Sequence, residues 1–148
     1  MPVRKKPPLA RRRKARQLIL QALYQWLLTD SELPDISKQF HEQNQGKIDW
    51  EFFDEVLPGV LKSVEALDKH LHPLLDRKLE ALDPIEKALL YLGTYELANR
   101  IDVPYRVVIN ECVELAKMFG ATESHKYING VLDKLAPELR AAEYGRRP

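Results

Sequence analysis

Eight cations crowd the first sixteen residues: Arg4, Lys5, Lys6, Arg11, Arg12, Arg13, Lys14 and Arg16, with no acid among them. Clustered Lys and Arg side chains neutralise phosphates and release counterions, so this run reads as the footprint of a polyanionic partner. The plainer alternative is a solubilising tail. Aromatic residues near other cations add to the first reading, because single-stranded RNA is held by cations on its backbone and by bases stacked on rings. Tyr24 lies about two to four helical turns beyond Arg11 to Arg16, and His125, Lys126 and Tyr127 open the last expected helix. Both clusters can line one RNA path if the first and last helices end near each other. Taken singly, each ring also reads as core.

Other chemistry finds little support. The chain has no P-loop, GxGxxG, GxSxG or HExxH pattern. His70 and His72, two residues apart, do not share a helical face, so no metal site is expected. Cys112 sits on an apolar stripe beside Val108 and Leu115 and reads as an inert core thiol. Glu111 and Glu114 read as solvated charges on a helix face. Neither catalysis nor a cofactor is expected.

The elements that must position these residues follow from composition and periodicity. The 148 residues are 45% apolar, enough for one modest domain with a packed core. A single cysteine excludes an intrachain disulfide. Net charge is +1, but setting aside residues 1 to 16 leaves 15 basic against 22 acidic residues, a body of −7 with a cationic arm. No stretch reaches the roughly 18 uninterrupted apolar residues of a spanning helix. The basic-then-apolar start is broken by Gln17, Gln21 and Gln25 and lacks a cleavage site. A soluble cytoplasmic protein is the expectation.

Ala15, Leu18, Ile19, Ala22, Leu23, Trp26 and Leu27 recur at steps of three and four and mark an amphipathic first helix. Its first turn is crowded with cations where the helix dipole favours anions, a local conflict that a bound phosphate relieves. Residues 29–49 read as a variable connection with one short helix around Ile36 and Phe40. Asp49 can cap a long helix to about His70, with a kink or split at Pro58. A short helical turn is expected from His72 to Leu79. Asp83, Pro84 and Glu86 form a helix start with a capping box, and that helix should run to Asn99. A further stripe from Val107 to Phe119 stops at Gly120, and a last helix runs from about Thr122 to just before Pro137. Gly93 and Gly130 read as packing glycines. The prediction is an all-α fold of six or seven helices: a disordered basic arm over 1–9, a helical RNA-binding domain over 10–136 and a flexible tail over 137–148.

From Ile101 to Lys134 the chain reads IDVPYRVVINECVELAKMFGATESHKYINGVLDK. VPYRVVINE, ELAKMFG and SHKYINGVLDK, in this order, closely resemble the C-terminal signature of the NusB family. DPIEKALLYLGTYEL and RRRKARQLILQALYQW are also similar to that family, and the likeness spans about residues 10 to 136. It implies two small helical bundles sharing one core, no catalytic activity, and a role in transcription antitermination of ribosomal RNA operons. The implied partners are single-stranded boxA-type RNA, NusE (a small-subunit ribosomal protein) and, indirectly, the RNA polymerase elongation complex. Carried onto this sequence, Arg11, Arg12, Arg13, Lys14 and Arg16 are the implied phosphate contacts. Tyr24 is implied at the junction of RNA and partner, and His125, Lys126 and Tyr127 on the RNA, with Tyr127 where the family often has phenylalanine. Glu86, Tyr91 and Tyr95 fall on the helix that resembles the partner-facing one. The resemblance leaves monomer and homodimer open. Two other readings compete: a protein-binding helical scaffold without specific RNA recognition, and the RNA-binding part of an RNA-modifying system, which this length disfavours.

Overall fold

The computed structural model describes residues 8–145. They form eight α-helices: α1 (Leu9–Leu28), α2 (Leu33–Gln43), α3 (Trp50–Lys62), α4 (Val64–Leu71), α5 (Pro84–Asn99), α6 (Tyr105–Phe119), α7 (Ser124–Leu139) and α8 (Ala141–Tyr144). Two 3-10 turns, His72–Leu74 and Leu79–Ala81, stand where one turn was expected. No strand occurs among the described residues, so the chain is all-α, with eight helices rather than six or seven. Arg4, Lys5 and Lys6, and with them most of the expected arm, lie outside the described residues, but α1 already begins at Leu9. No helix among the described residues is long and apolar enough to cross a membrane.

α5 organises the core. Every residue from Ala88 to Leu97 is buried, and the helix packs against α1, α3, α4, α6 and α7. A helix apolar on all sides has to sit inside its neighbours. Asp83 caps it, its carboxylate accepting the Glu86 N–H at 2.9 Å, but the expected capping box does not close on the Glu86 side. The Glu86 carboxylate instead accepts from Ser124 Oγ at 3.0 Å, pinning the start of α7 to the start of α5.

The glycines divide by what surrounds them. A Cβ at Gly93 would lie 2.7 Å from Leu132 Cδ1, so Gly93 lets α7 close on α5 as expected. Gly130 faces open space, with nothing within 4 Å of such a Cβ, and the packing role expected for it is corrected. Gly59 makes room for the Tyr95 hydroxyl. Gly120 ends α6 without a left-handed turn (φ −92°). Its lack of a side chain matters because a Cβ there would lie 2.8 Å from the Ala116 carbonyl.

Both internal prolines contradict the expected boundaries. α3 runs through Pro58, and the break falls at Ser63 (φ −110°, ψ 8°), where the chain turns into α4 and brings Leu67 and Leu71 into the core. Five buried residues of α3, Phe52, Phe53, Val56, Leu57 and Val60, outweigh the one backbone bond that Pro58 removes. Likewise α7 runs through the exposed Pro137 to Leu139. Helical structure therefore continues into the segment expected to be a flexible tail, through α8 to Tyr144, and residues 146–148 lie outside the described residues. Arg140, 4% exposed, anchors this end. Its guanidinium donates to the carbonyls of Glu96 (3.1 Å), Leu97 (2.7 Å) and Arg100 (2.8 Å), satisfying the last carbonyls of α5.

Candidate nucleic-acid interface

The cations of α1 sort into structural and available groups. Arg16 is 1% exposed and grips Glu96 through two hydrogen bonds, Nε–Oε2 at 2.9 Å and Nη2–Oε1 at 2.8 Å. Its Nη1 lies 3.8 Å from Glu111. The phosphate contact expected of Arg16 is corrected: its guanidinium is enclosed and matched by a carboxylate. Arg12 is mostly enclosed as well, bonded to Asp49 at 3.1 Å with its guanidinium 4.6 Å from the Phe52 ring centre. Asp49 also caps α3, accepting the Phe52 N–H, and donates its own N–H to the Arg11 carbonyl, so Arg12 ties α3 to α1.

Arg11, Arg13 and Lys14 remain. Arg13 is well exposed while its Nε donates to both oxygens of Glu111, at 2.9 and 3.2 Å. Arg11 is half-buried and Lys14 exposed, and neither forms an ion pair among the described residues. α1 lacks both a side-chain cap and an acid in its first turn, so its positive end stands uncompensated. A groove of about 490 Å³ lies alongside, with Arg13, Lys14 and Gln17 on the α1 wall and Glu111, Glu114 and Met118 on the α6 wall. Glu111 is buried in its ion pairs, not the solvated charge its spacing suggested.

At the other expected cluster, Ser124 is held by Glu86, and His125, Lys126 and Tyr127 follow on the first turns of α7. His125 is half-buried, and Lys126 is exposed, paired with Glu123 at 2.9 Å. Tyr127 is half-buried, and burial pushes its phenol pKa up. The Arg77 guanidinium sits 4.4 Å from its ring centre. Arg77 in turn donates to Asp76 (2.7 Å), a bond that raises the arginine pKa and lowers that of the aspartate. Neither Asp76 nor Arg77 was singled out from sequence, where they are two ordinary charges in a turn.

The two clusters do not merge. Arg16 is bonded to Glu96 and Ser124 to Glu86, ten residues apart on α5, which is about 15 Å along the helix axis. Tyr24 stays accessible at 38% exposure. Among the four residues expected to face a partner it is the most exposed. Glu86 (8% exposed) positions α7, Tyr91 (2%) donates to Asp68 at 2.7 Å, and Tyr95 (8%) packs over Gly59. All three are buried in the chain by itself, on faces of the helix that fills the core. Cys112 is buried, and desolvation raises its thiol pKa well above the ordinary range, as fits an inert core cysteine.

The sequence profile of the NusB family matches residues 13–137. The chain is 57% identical to the transcription antitermination protein NusB of Alcanivorax borkumensis over 92% of this chain and 91% of that one. It is 49% identical to the protein of the same name from Cupriavidus pinatubonensis, over 97% and 86%. Among solved structures, T. maritima NusB aligns with a TM-score of 0.78 at 26% identity, covering 95% of this chain and 99% of that one. A crystal structure of antitermination factors NusB and NusE in complex with dsRNA shares the fold, with a TM-score of 0.79 at 22% identity over 88% and 99%. These matches span the cationic helix, the central helix and the start of α7 alike, and the chain belongs to the NusB family.

Proposed function

We propose that this chain is a non-enzymatic RNA-binding factor in transcription antitermination of ribosomal RNA operons. It takes single-stranded boxA-type RNA together with NusE and acts on the RNA polymerase elongation complex through that assembly, in the cytoplasm. The observation that carries the reading is the start of α1, which has no side-chain cap and no acid in its first turn and carries an exposed Lys14, a half-buried Arg11 and an exposed Arg13 whose Nε is held by Glu111. Its relatives bear the name transcription antitermination protein NusB, and one solved neighbour holds NusB with NusE and dsRNA.

In this reading Arg11, Arg13 and Lys14 supply affinity along the RNA backbone, and the α7 start with Tyr127, His125 and Lys126 supplies base contacts. Tyr24 serves the junction with NusE. The helices work as two small bundles around the shared α5, one presenting each cluster. Stacking favours unpaired RNA, since bases inside a duplex already have both faces covered.

Titration of a short boxA-type RNA against increasing salt tests the electrostatic part. Three neutralised phosphates give a log–log slope of about −2, from roughly −0.7 per phosphate on a single strand. The Arg11→Ala, Arg13→Ala, Lys14→Ala triple variant is expected to flatten that slope toward zero. An unchanged slope in the triple variant overturns the assignment.

A further inference from the structure

We propose that the guanidinium of Arg77, held over the Tyr127 ring by Asp76, is the surface on which an unpaired RNA base stacks, with Tyr127 as the floor beneath it. This rests on the RNA-binding reading above and names a contact residue that reading lacked.

The argument begins with an obstruction. Tyr127 is the ring that the resemblance implies for stacking, yet one face already carries the Arg77 guanidinium at 4.4 Å from the ring centre. The phenol itself is half-buried at the core margin. What reaches solvent above that ring face is arginine, and Arg77 keeps 44% of its side chain exposed. A guanidinium plane stacks on a nucleobase as an aromatic ring does, and it adds a positive charge that ammonium side chains cannot spread over a plane.

The group is also pre-set. Asp76 binds Arg77 as a fork, Nε to Oδ1 at 2.7 Å and Nη2 to Oδ2 at 3.3 Å, which fixes the orientation of the guanidinium plane. The Asp76 side chain is 65% exposed, so the pair is not sealed by the rest of the fold. As a structural device it does little: exposed ion pairs and exposed cation–π contacts are both weak. As a recognition device it makes sense, because ordering the side chain beforehand lowers the entropic cost of binding. The surroundings suit an RNA strand: Lys78 follows Arg77 in the turn, and His125 and Lys126 precede Tyr127 on α7. Of the acids around it, Asp76 is engaged by Arg77, Glu123 by Lys126 and Glu86 by Ser124, while Glu80 lies three residues beyond Arg77.

The test uses the full chain and a single-stranded boxA-type RNA carrying a fluorescent adenine analogue at successive positions. Anisotropy reads affinity, and quenching of the analogue reads stacking. Arg77→Ala is expected to weaken binding about tenfold and to abolish quenching at one position, the scale set by loss of a stacked base. Arg77→Lys keeps the charge and is expected to recover less than half of that loss. Asp76→Asn, which loosens the fork, is expected to weaken binding by a smaller factor. All three variants should melt within a degree or two of the wild type, about the resolution expected for exposed sites. Unchanged affinity in Arg77→Ala overturns the proposal. Tighter binding in Arg77→Ala or Asp76→Asn also overturns it, because the guanidinium would then be a cover that a base displaces from Tyr127. A wild-type chain that fails to bind the RNA sinks the functional reading itself, a result separable from a wild type that binds and an Arg77 variant that binds equally well.

Discussion

Arg16 and Glu96 meet through two hydrogen bonds of 2.9 and 2.8 Å with both side chains out of solvent, so a cation of the basic segment is a strut between α1 and α5. Two neighbouring arginines therefore answer differently to the same substitution. Arg16→Ala leaves Glu96 charged and unmatched in the core and is expected to cost about 3–5 kcal/mol of stability. Arg13→Ala removes a mostly exposed arginine and leaves the buried Glu111 its neighbour Arg16 at 3.8 Å, is expected to cost about 1 kcal/mol or less, and should weaken RNA binding. Denaturant melts and RNA titrations on the two variants, read together, check this separation.

Gly93 and Gly130 both stand in helix interiors, and the same change at each should move stability in opposite directions. Gly93→Ala drives a methyl to within 2.7 Å of Leu132 Cδ1 and is expected to destabilise by about 1–3 kcal/mol through overpacking. Gly130→Ala meets nothing within 4 Å and is expected to stabilise by up to about 1 kcal/mol from helix propensity. Thermal melting of the two single variants decides it.

Much of this was legible in the sequence, and the misses have a common physical source. Helix starts carrying their own local signal, such as Asp83 with Pro84 before α5 and Asp49 before α3, lie where the residues place them. Boundaries at Pro58 and Pro137 were misplaced because a proline penalty is local while the burial opposing it is tertiary. The same holds for the site. Charge composition located the cationic helix but not which of its members are enclosed, since Glu96 and Glu111 are 80 and 98 positions away from the arginines they bind. Asp76 and Arg77 carry no spacing signal, and only the fold brings them to Tyr127.

Arg140 is the clasp that closes the C-terminal end. Besides binding three α5-end carbonyls, it pairs with Glu143 at 2.6 Å, and Glu143 accepts the Tyr105 N–H at the start of α6. Arg140→Ala is expected to cost about 1.5–3 kcal/mol, the scale of charge-assisted hydrogen bonds to backbone. Removing everything after Leu139 should produce a loss of similar size in urea denaturation, and a truncation as stable as the full chain would refute the clasp.

Tyr91 sets an alkaline limit on stability. Burial first, and then its hydrogen bond to Asp68, raise the phenol pKa in the folded chain above the ordinary value. A raised folded pKa contributes stability that is fully present below the unfolded value and is lost as pH climbs past it. The melting temperature should therefore fall above about pH 10, where unfolded tyrosine ionises. Tyr91→Phe should fall less steeply over the same range, and equal slopes would contradict the assignment.

The central claim is selective RNA recognition completed by a protein partner, and fluorescence anisotropy with a boxA-type RNA and a scrambled control, each with and without NusE, tests it most directly. The account predicts that the boxA-type strand binds more tightly than its scramble and that NusE widens the gap. Equal binding of both strands, unaffected by NusE and abolished by moderate salt, would contradict it and leave only a cationic helix end with no sequence to read.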